Sequence, residues 1–60
     1  MRTSDIASYA RALYDAHGDA AEAEAVQKAS AAEAAGKADE AEDWRAIRRA
    51  ISEIRGANVS

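Results

Sequence analysis

The only histidine of this 60-residue chain, His17, lies between Asp15 and Asp19. An imidazole beside carboxylates could bind a metal ion or move a proton. A protein zinc site, however, usually requires three or four ligands rich in nitrogen and sulfur, and the chain has no cysteine. We therefore interpret His17 as a helix-ending residue whose protonated form suits the carbonyl end of a helix. We predict no metal site and no cofactor.

Carboxylates form the second group of residues that could do chemistry, and they cluster in two places: Glu22, Glu24; Asp39, Glu40, Glu42, Asp43. Paired carboxylates can act as general acid and general base. Both clusters fall where helices are expected to begin, where capping and the helix dipole explain acidic side chains. No pocket-forming residues accompany them, and three isolated glycines make no phosphate-binding loop. We predict that the protein is not an enzyme.

Three arginines, Arg45, Arg48 and Arg55, follow one stripe of the last predicted helix. A recognition helix can place such side chains on phosphates, so the stripe is a candidate contact for nucleic acid or for an acidic partner. The acidic cluster one turn earlier and the net charge of −3 oppose nucleic-acid binding. We expect a solvated face here, and a small nucleic-acid-associated regulator remains the alternative function.

The aromatic residues are the candidates for protein contacts. A lone tryptophan such as Trp44 can anchor a helical core or form an interface hot spot. Tyr9 and Tyr14 lie on different sides of the first predicted helix, so at most one of them is expected to be fully buried. The other tyrosine is then a candidate contact residue.

Glycines at positions 18, 36 and 56, with no proline anywhere, divide the chain into helical segments. Glycine commonly ends a helix in the left-handed conformation. We predict an all-α fold with helices at about 4–17, 20–35 and 39–55, in one domain (1–60) with a frayed tail at 57–60. Capping boxes are predicted at Asp19–Glu22 and Asp39–Glu42. A chain that stays helical through Gly18 would form a helical hairpin instead of a three-helix bundle.

The core is expected to be thin because eighteen of the 60 residues are alanine. The larger predicted core residues are Ile6, Leu13, Val26, Trp44, Ile47, Ile51 and Ile54. An alanine stripe on the second helix would let another helix approach closely, either within the chain or from a second copy: Ala21, Ala25, Ala29, Ala32. We take Ala25, Ala29 and Ala32 as candidate interface residues. Since so short a chain buries only about 60% of its unfolded surface, we expect a homodimer or docking on a partner protein.

Composition also bears on location. The amino terminus lacks the apolar run of a signal peptide, and no segment approaches the ~20 apolar residues of a membrane span. The lack of cysteine suits a reducing compartment. We expect a cytoplasmic protein without a membrane partner.

The segment Gly36-Lys37-Ala38-Asp39-Glu40-Ala41 resembles the turn between the paired helices of a tetratricopeptide repeat, in which the glycine, Glu40 and Ala41 match. The aromatic Trp44 falls one position before the family's aromatic residue. The resemblance implies a protein-binding scaffold without catalysis. The alanine- and arginine-rich composition also resembles that of short helical proteins of bacteria with GC-rich genomes.

The leading hypothesis from the sequence is therefore a non-catalytic protein–protein interaction module, either a small homo-oligomer or an accessory subunit of a larger complex.

Overall fold

A computed structural model of the chain describes the backbone of residues 3–57 and the side chains of residues 5–56. Over that range the chain forms three α-helices, α1 (Thr3–His17), α2 (Ala20–Ala34) and α3 (Ala38–Ala57). The helices pack as a small bundle in which α2 and α3 share the most extensive interface. The predicted all-α three-helix bundle is confirmed. Of the expected tail, Ala57 belongs to α3 and residues 58–60 lie outside the described residues.

Glycine in the left-handed region ends both α1 and α2. Gly18 has φ +59°, and its N–H donates to the carbonyl of Tyr14 at 2.7 Å. Gly36 has φ +76°, and the N–H of the following Lys37 donates to the carbonyl of Ala32 at 2.8 Å, the six-residue closure of a Schellman motif. These turns exclude the continuous hairpin and produce three separate helices.

Gly56 does not end α3, contrary to the sequence prediction. It has no positive φ, and the helix continues through it to Ala57. A glycine inside a helix costs only about 1 kcal/mol relative to alanine. The preceding residues of α3 stabilise the helix enough to offset that cost.

The predicted capping boxes are also wrong. Asp19 precedes α2 with right-handed helical angles and no side-chain capping hydrogen bond, whereas a capping residue needs extended angles to turn its oxygen toward the first turn. Its carboxylate lies instead 3.5 Å from Nε of Arg55. Asp39 is inside α3 rather than in front of it, because Lys37 already accepts a hydrogen bond from the N–H of Ala41.

The core consists mainly of alanine. Eight hydrophobic residues are buried among the described side chains, and six of them are alanines, the exceptions being Ile47 and Ile51. Other predicted core residues pack against this cluster while staying partly exposed: Ile6, Leu13, Trp44, Ile54. Tyr14 joins them there. Among the described residues, therefore, Ile47 and Ile51 are the only large side chains that are fully enclosed.

Val26 was expected in the core and lies outside it, with 46% of its surface exposed. The buried positions of α2 are the four alanines of the stripe: Ala21, Ala25, Ala29, Ala32. Val26 is one residue, and so about 100°, further round the helix than Ala25. A methyl side chain lets two helices approach closely, so the alanines face the bundle interior and the bulkier valine faces out.

Candidate interaction surfaces

Trp44 is the centre of an aromatic cluster that joins all three helices. Its ring meets Tyr9 of α1 edge to face, with centroids 5.6 Å apart and planes at 82°. From α2, Nζ of Lys28 lies 5.6 Å from the centroid of the Trp44 ring. Edge-to-face and cation–π geometries are both favourable for aromatic rings. Trp44 thus holds the bundle together with one side and keeps part of its surface toward solvent.

The remaining aromatic candidates divide as the sequence analysis required. Tyr14 packs against the core, and Tyr9 is 43% exposed. Tyr9 is therefore the tyrosine that a partner could reach directly, and it would do so beside Trp44.

The three candidate interface alanines lie inside the chain. Ala25 is fully buried, and Ala29 and Ala32 are each 8% exposed. In the folded monomer a second protein would have to separate the helices to reach Ala25, whereas Ala29 and Ala32 keep a small exposed edge at the bottom of surface grooves. Of the two roles considered for the stripe, the structure places it in close packing within the chain.

The arginine stripe of α3 is met by a row of carboxylates from α2. Arg45 donates to Glu33, and Arg55 donates to Glu22. Nε of Arg48 lies 3.9 Å from Oε2 of the same Glu22. We call Arg45, Arg48 and Arg55 the arginine row. We call Asp19, which directly precedes α2, together with Glu22 and Glu33 of α2 the carboxylate row.

The two rows leave a large part of their charge accessible. The arginine side chains are 42–52% exposed and those of Glu33 and Asp19 are 66% and 84% exposed, while Glu22 is 22% exposed. Exposed ion pairs contribute little to stability, about 0–1 kcal/mol each. A guanidinium has five N–H donors, so each arginine can accept a second carboxylate partner.

The sequence signal for these pairs is visible only once the antiparallel α2–α3 turn is known. Two residues that face each other across such a turn are few positions apart in sequence when they lie beside the turn, and many positions apart when they lie far from it. Glu33 and Arg45 are 12 positions apart, and Glu22 and Arg55 are 33 apart. Helical periodicity alone indicated the arginine stripe of α3 and could not show that carboxylates of α2 face it.

His17 forms a pair with Glu24 on the surface. Its Nδ1 lies 3.7 Å from Oε2 of Glu24, and the two side chains are 49% and 40% exposed. Within residues 3–57, no three or more histidine, aspartate or glutamate side chains are grouped so that they could hold a metal ion. Over the same residues, no helix combines the length and apolarity needed to span a membrane.

Comparisons with protein families, with curated proteins and with solved structures found no match to this chain.

Proposed function

We propose that this chain is a non-catalytic protein–protein interaction module, acting as a small homo-oligomer or as an accessory subunit of a larger complex. The observation that carries the proposal is the composition of the core. Ile47 and Ile51 are the only large side chains that the described part of the chain encloses fully, while Tyr9 and Val26 are exposed.

The physical argument concerns how little apolar surface the monomer removes from water. Burying a side chain the size of leucine or isoleucine stabilises a fold by about 1.5–3 kcal/mol, whereas alanine contributes one methyl group. Chains of this length usually need disulfides, a metal or association to supplement the core. This chain has no cysteine. A partner that covers the remaining apolar side chains supplies the missing burial.

The ion pairs between α2 and α3 weaken the case for the alternative function, a nucleic-acid-associated regulator. Each member of the arginine row lies beside a carboxylate of α2. A phosphate backbone would have to compete with these carboxylates, and the net charge of −3 would repel it. The arginines are better suited to an acidic or mixed-charge protein surface. We also propose a cytoplasmic location, which the cysteine-free sequence favours.

The test is thermal unfolding followed by circular dichroism over about a hundredfold range of protein concentration. Association stabilises the folded state in proportion to the logarithm of concentration, about 2.7 kcal/mol for a ligand at 100 times its dissociation constant. A homo-oligomer predicts a Tm that rises with concentration. An accessory subunit predicts a low Tm and co-purification of one protein from native lysate. A stable chain with constant Tm that co-purifies with nothing contradicts the proposal.

A further inference from the structure

Val26 is the centre of the α2–α3 face. It borders two adjoining surface grooves, and Arg48 borders both with it. One groove extends toward the α2–α3 turn and is also lined by Ala29, Ser30, Glu33 and Arg45. The other extends toward the start of α2 and is also lined by Asp19, Glu22, Ala23 and Gln27. An exposed aliphatic side chain with charged residues around it has the anatomy of a small interface, an apolar centre with a polar rim.

The rim of this face has two parallel rows of opposite sign, the carboxylate row on α2 and the arginine row on α3. A face of this kind is complementary to itself. A two-fold axis that lies in the interface plane, runs parallel to the helices and passes between the rows would bring each carboxylate row opposite the arginine row of the second copy. Heights along the axis are preserved by that rotation, so Glu22 would face the partner's Arg48 and Arg55, and Glu33 would face the partner's Arg45.

A two-fold axis across the helices would give the opposite result, because each row would then meet its own copy. The charges therefore select one orientation, as in interfaces where like-charge contacts exclude the wrong register. The arginines are 42–52% exposed and have N–H donors to spare, so they can bind a second carboxylate without giving up the first.

We propose that the α2–α3 face centred on Val26 binds the same face of a second copy of this chain, in the two-fold arrangement that pairs carboxylate row with arginine row. This inference rests on the proposed function and specifies its homo-oligomeric form. The apolar contact of Val26 and its neighbouring alanines provides the attraction. The ion pairs fix the orientation, since exposed pairs add little energy of their own.

The first experiment compares two aspartate substitutions on α2, Val26→Asp and Ala31→Asp, by sedimentation equilibrium. Both positions are exposed; Ala31 lies instead in the groove beside Trp44. Valine and aspartate have similar helix propensities, so circular dichroism should show an unchanged fold for Val26→Asp. We expect this variant to raise the dimer dissociation constant about tenfold or more, which corresponds to ~1.4 kcal/mol. Ala31→Asp should leave the dissociation constant near that of the original chain.

The second experiment tests the orientation by charge reversal. One variant carries Glu22→Arg and Glu33→Arg, and the other carries Arg45→Glu, Arg48→Glu and Arg55→Glu. Each variant alone opposes like charges across the two-fold axis and should be monomeric. An equimolar mixture places arginine opposite glutamate on both sides and should restore the dimer. Adding Val26→Asp to both members of the mixture should abolish it again, which separates the proposed face from general attraction between oppositely charged proteins.

Three results would overturn the inference. The chain could stay monomeric at every concentration, Val26→Asp could leave the dimer intact, or the mixed charge variants could fail to associate although both are helical. If charge reversal unfolds a variant, the Val26→Asp comparison decides alone. A dimer that survives Val26→Asp contradicts this face but leaves the interaction module standing. A monomer leaves the module to be judged by co-purification.

Discussion

At the scale of single residues, the three glycines have two different functions. Gly18 and Gly36 adopt positive φ values of +59° and +76°. A residue with a Cβ atom adopts such a backbone conformation at a cost of about 1–2 kcal/mol. Gly56 lies within α3 and has no positive φ, and a Cβ built there would contact nothing within 4 Å. The same substitution should therefore act in opposite directions at these sites.

We predict that Gly36→Ala lowers the free energy of unfolding by about 1 kcal/mol or more. Gly56→Ala should raise it by about 0.5–1 kcal/mol, because alanine favours the helix. Urea denaturation followed by circular dichroism at one fixed protein concentration measures both. Equal effects of the two substitutions would show that Gly36 does not hold the α2–α3 turn in a left-handed conformation.

The two enclosed isoleucines are the residues on which the fold depends most. Ile51 is fully buried, and truncating such a side chain to alanine costs about 2–5 kcal/mol. We predict that Ile51→Ala is largely unfolded at room temperature. Val26→Ala is the matched control at a protein concentration low enough for the chain to be monomeric, since that side chain is 46% exposed and its loss in the monomer should change stability little. Retained cooperative unfolding in Ile51→Ala, within 1 kcal/mol of the original chain, would contradict this core.

At the scale of helices, α2 packs against its neighbours through the methyl groups of its alanines, and its buried positions have no space for larger side chains. Ala25 is fully buried, so Ala25→Leu should destabilise the bundle by about 1–3 kcal/mol through overpacking. Ala31→Leu introduces the same side chain at an exposed position of the same helix and should be nearly neutral. Chemical denaturation of both variants checks this. A neutral Ala25→Leu would mean that α2 packs loosely on the other helices.

The helices themselves could be predicted because their ends depend on local chemistry. A left-handed glycine is a property of one residue and its neighbours, so Gly18 and Gly36 marked the turns correctly. The capping residues could not be predicted with the same success, because Asp19 has a partner on another helix, Arg55. Sequence patterns within one helix contain no information about that competition.

Val26 shows why the core residues of α2 could not be predicted from the sequence. Size and hydropathy favour burying a valine over an alanine, and that rule works where helices pack at ordinary distances. Close packing reverses the choice on α2, because only the methyl groups of residues such as Ala25 and Ala29 fit between neighbouring helices. The exposure of Val26, and with it the proposed interface, followed from how closely the helices pack.

At the scale of the whole molecule, charge sets which partners can approach. The net charge is −3, and the arginine row is already accompanied by carboxylates. We predict no binding of a fluorescein-labelled DNA duplex or RNA hairpin at micromolar protein and low salt, measured by fluorescence anisotropy. Binding that weakens steeply with added salt would support a nucleic-acid role instead.

The central claim is that this chain completes a thin core by associating with protein, in the first instance with itself. Sedimentation equilibrium over a concentration series, with circular dichroism recorded on the same samples, tests it most directly. The account predicts a helical dimer at high concentration that dissociates on dilution, with a Tm that falls as it does so. A helical monomer that is unchanged across the series would show that Ile47, Ile51 and their alanines suffice for a stable fold, and would contradict the claim.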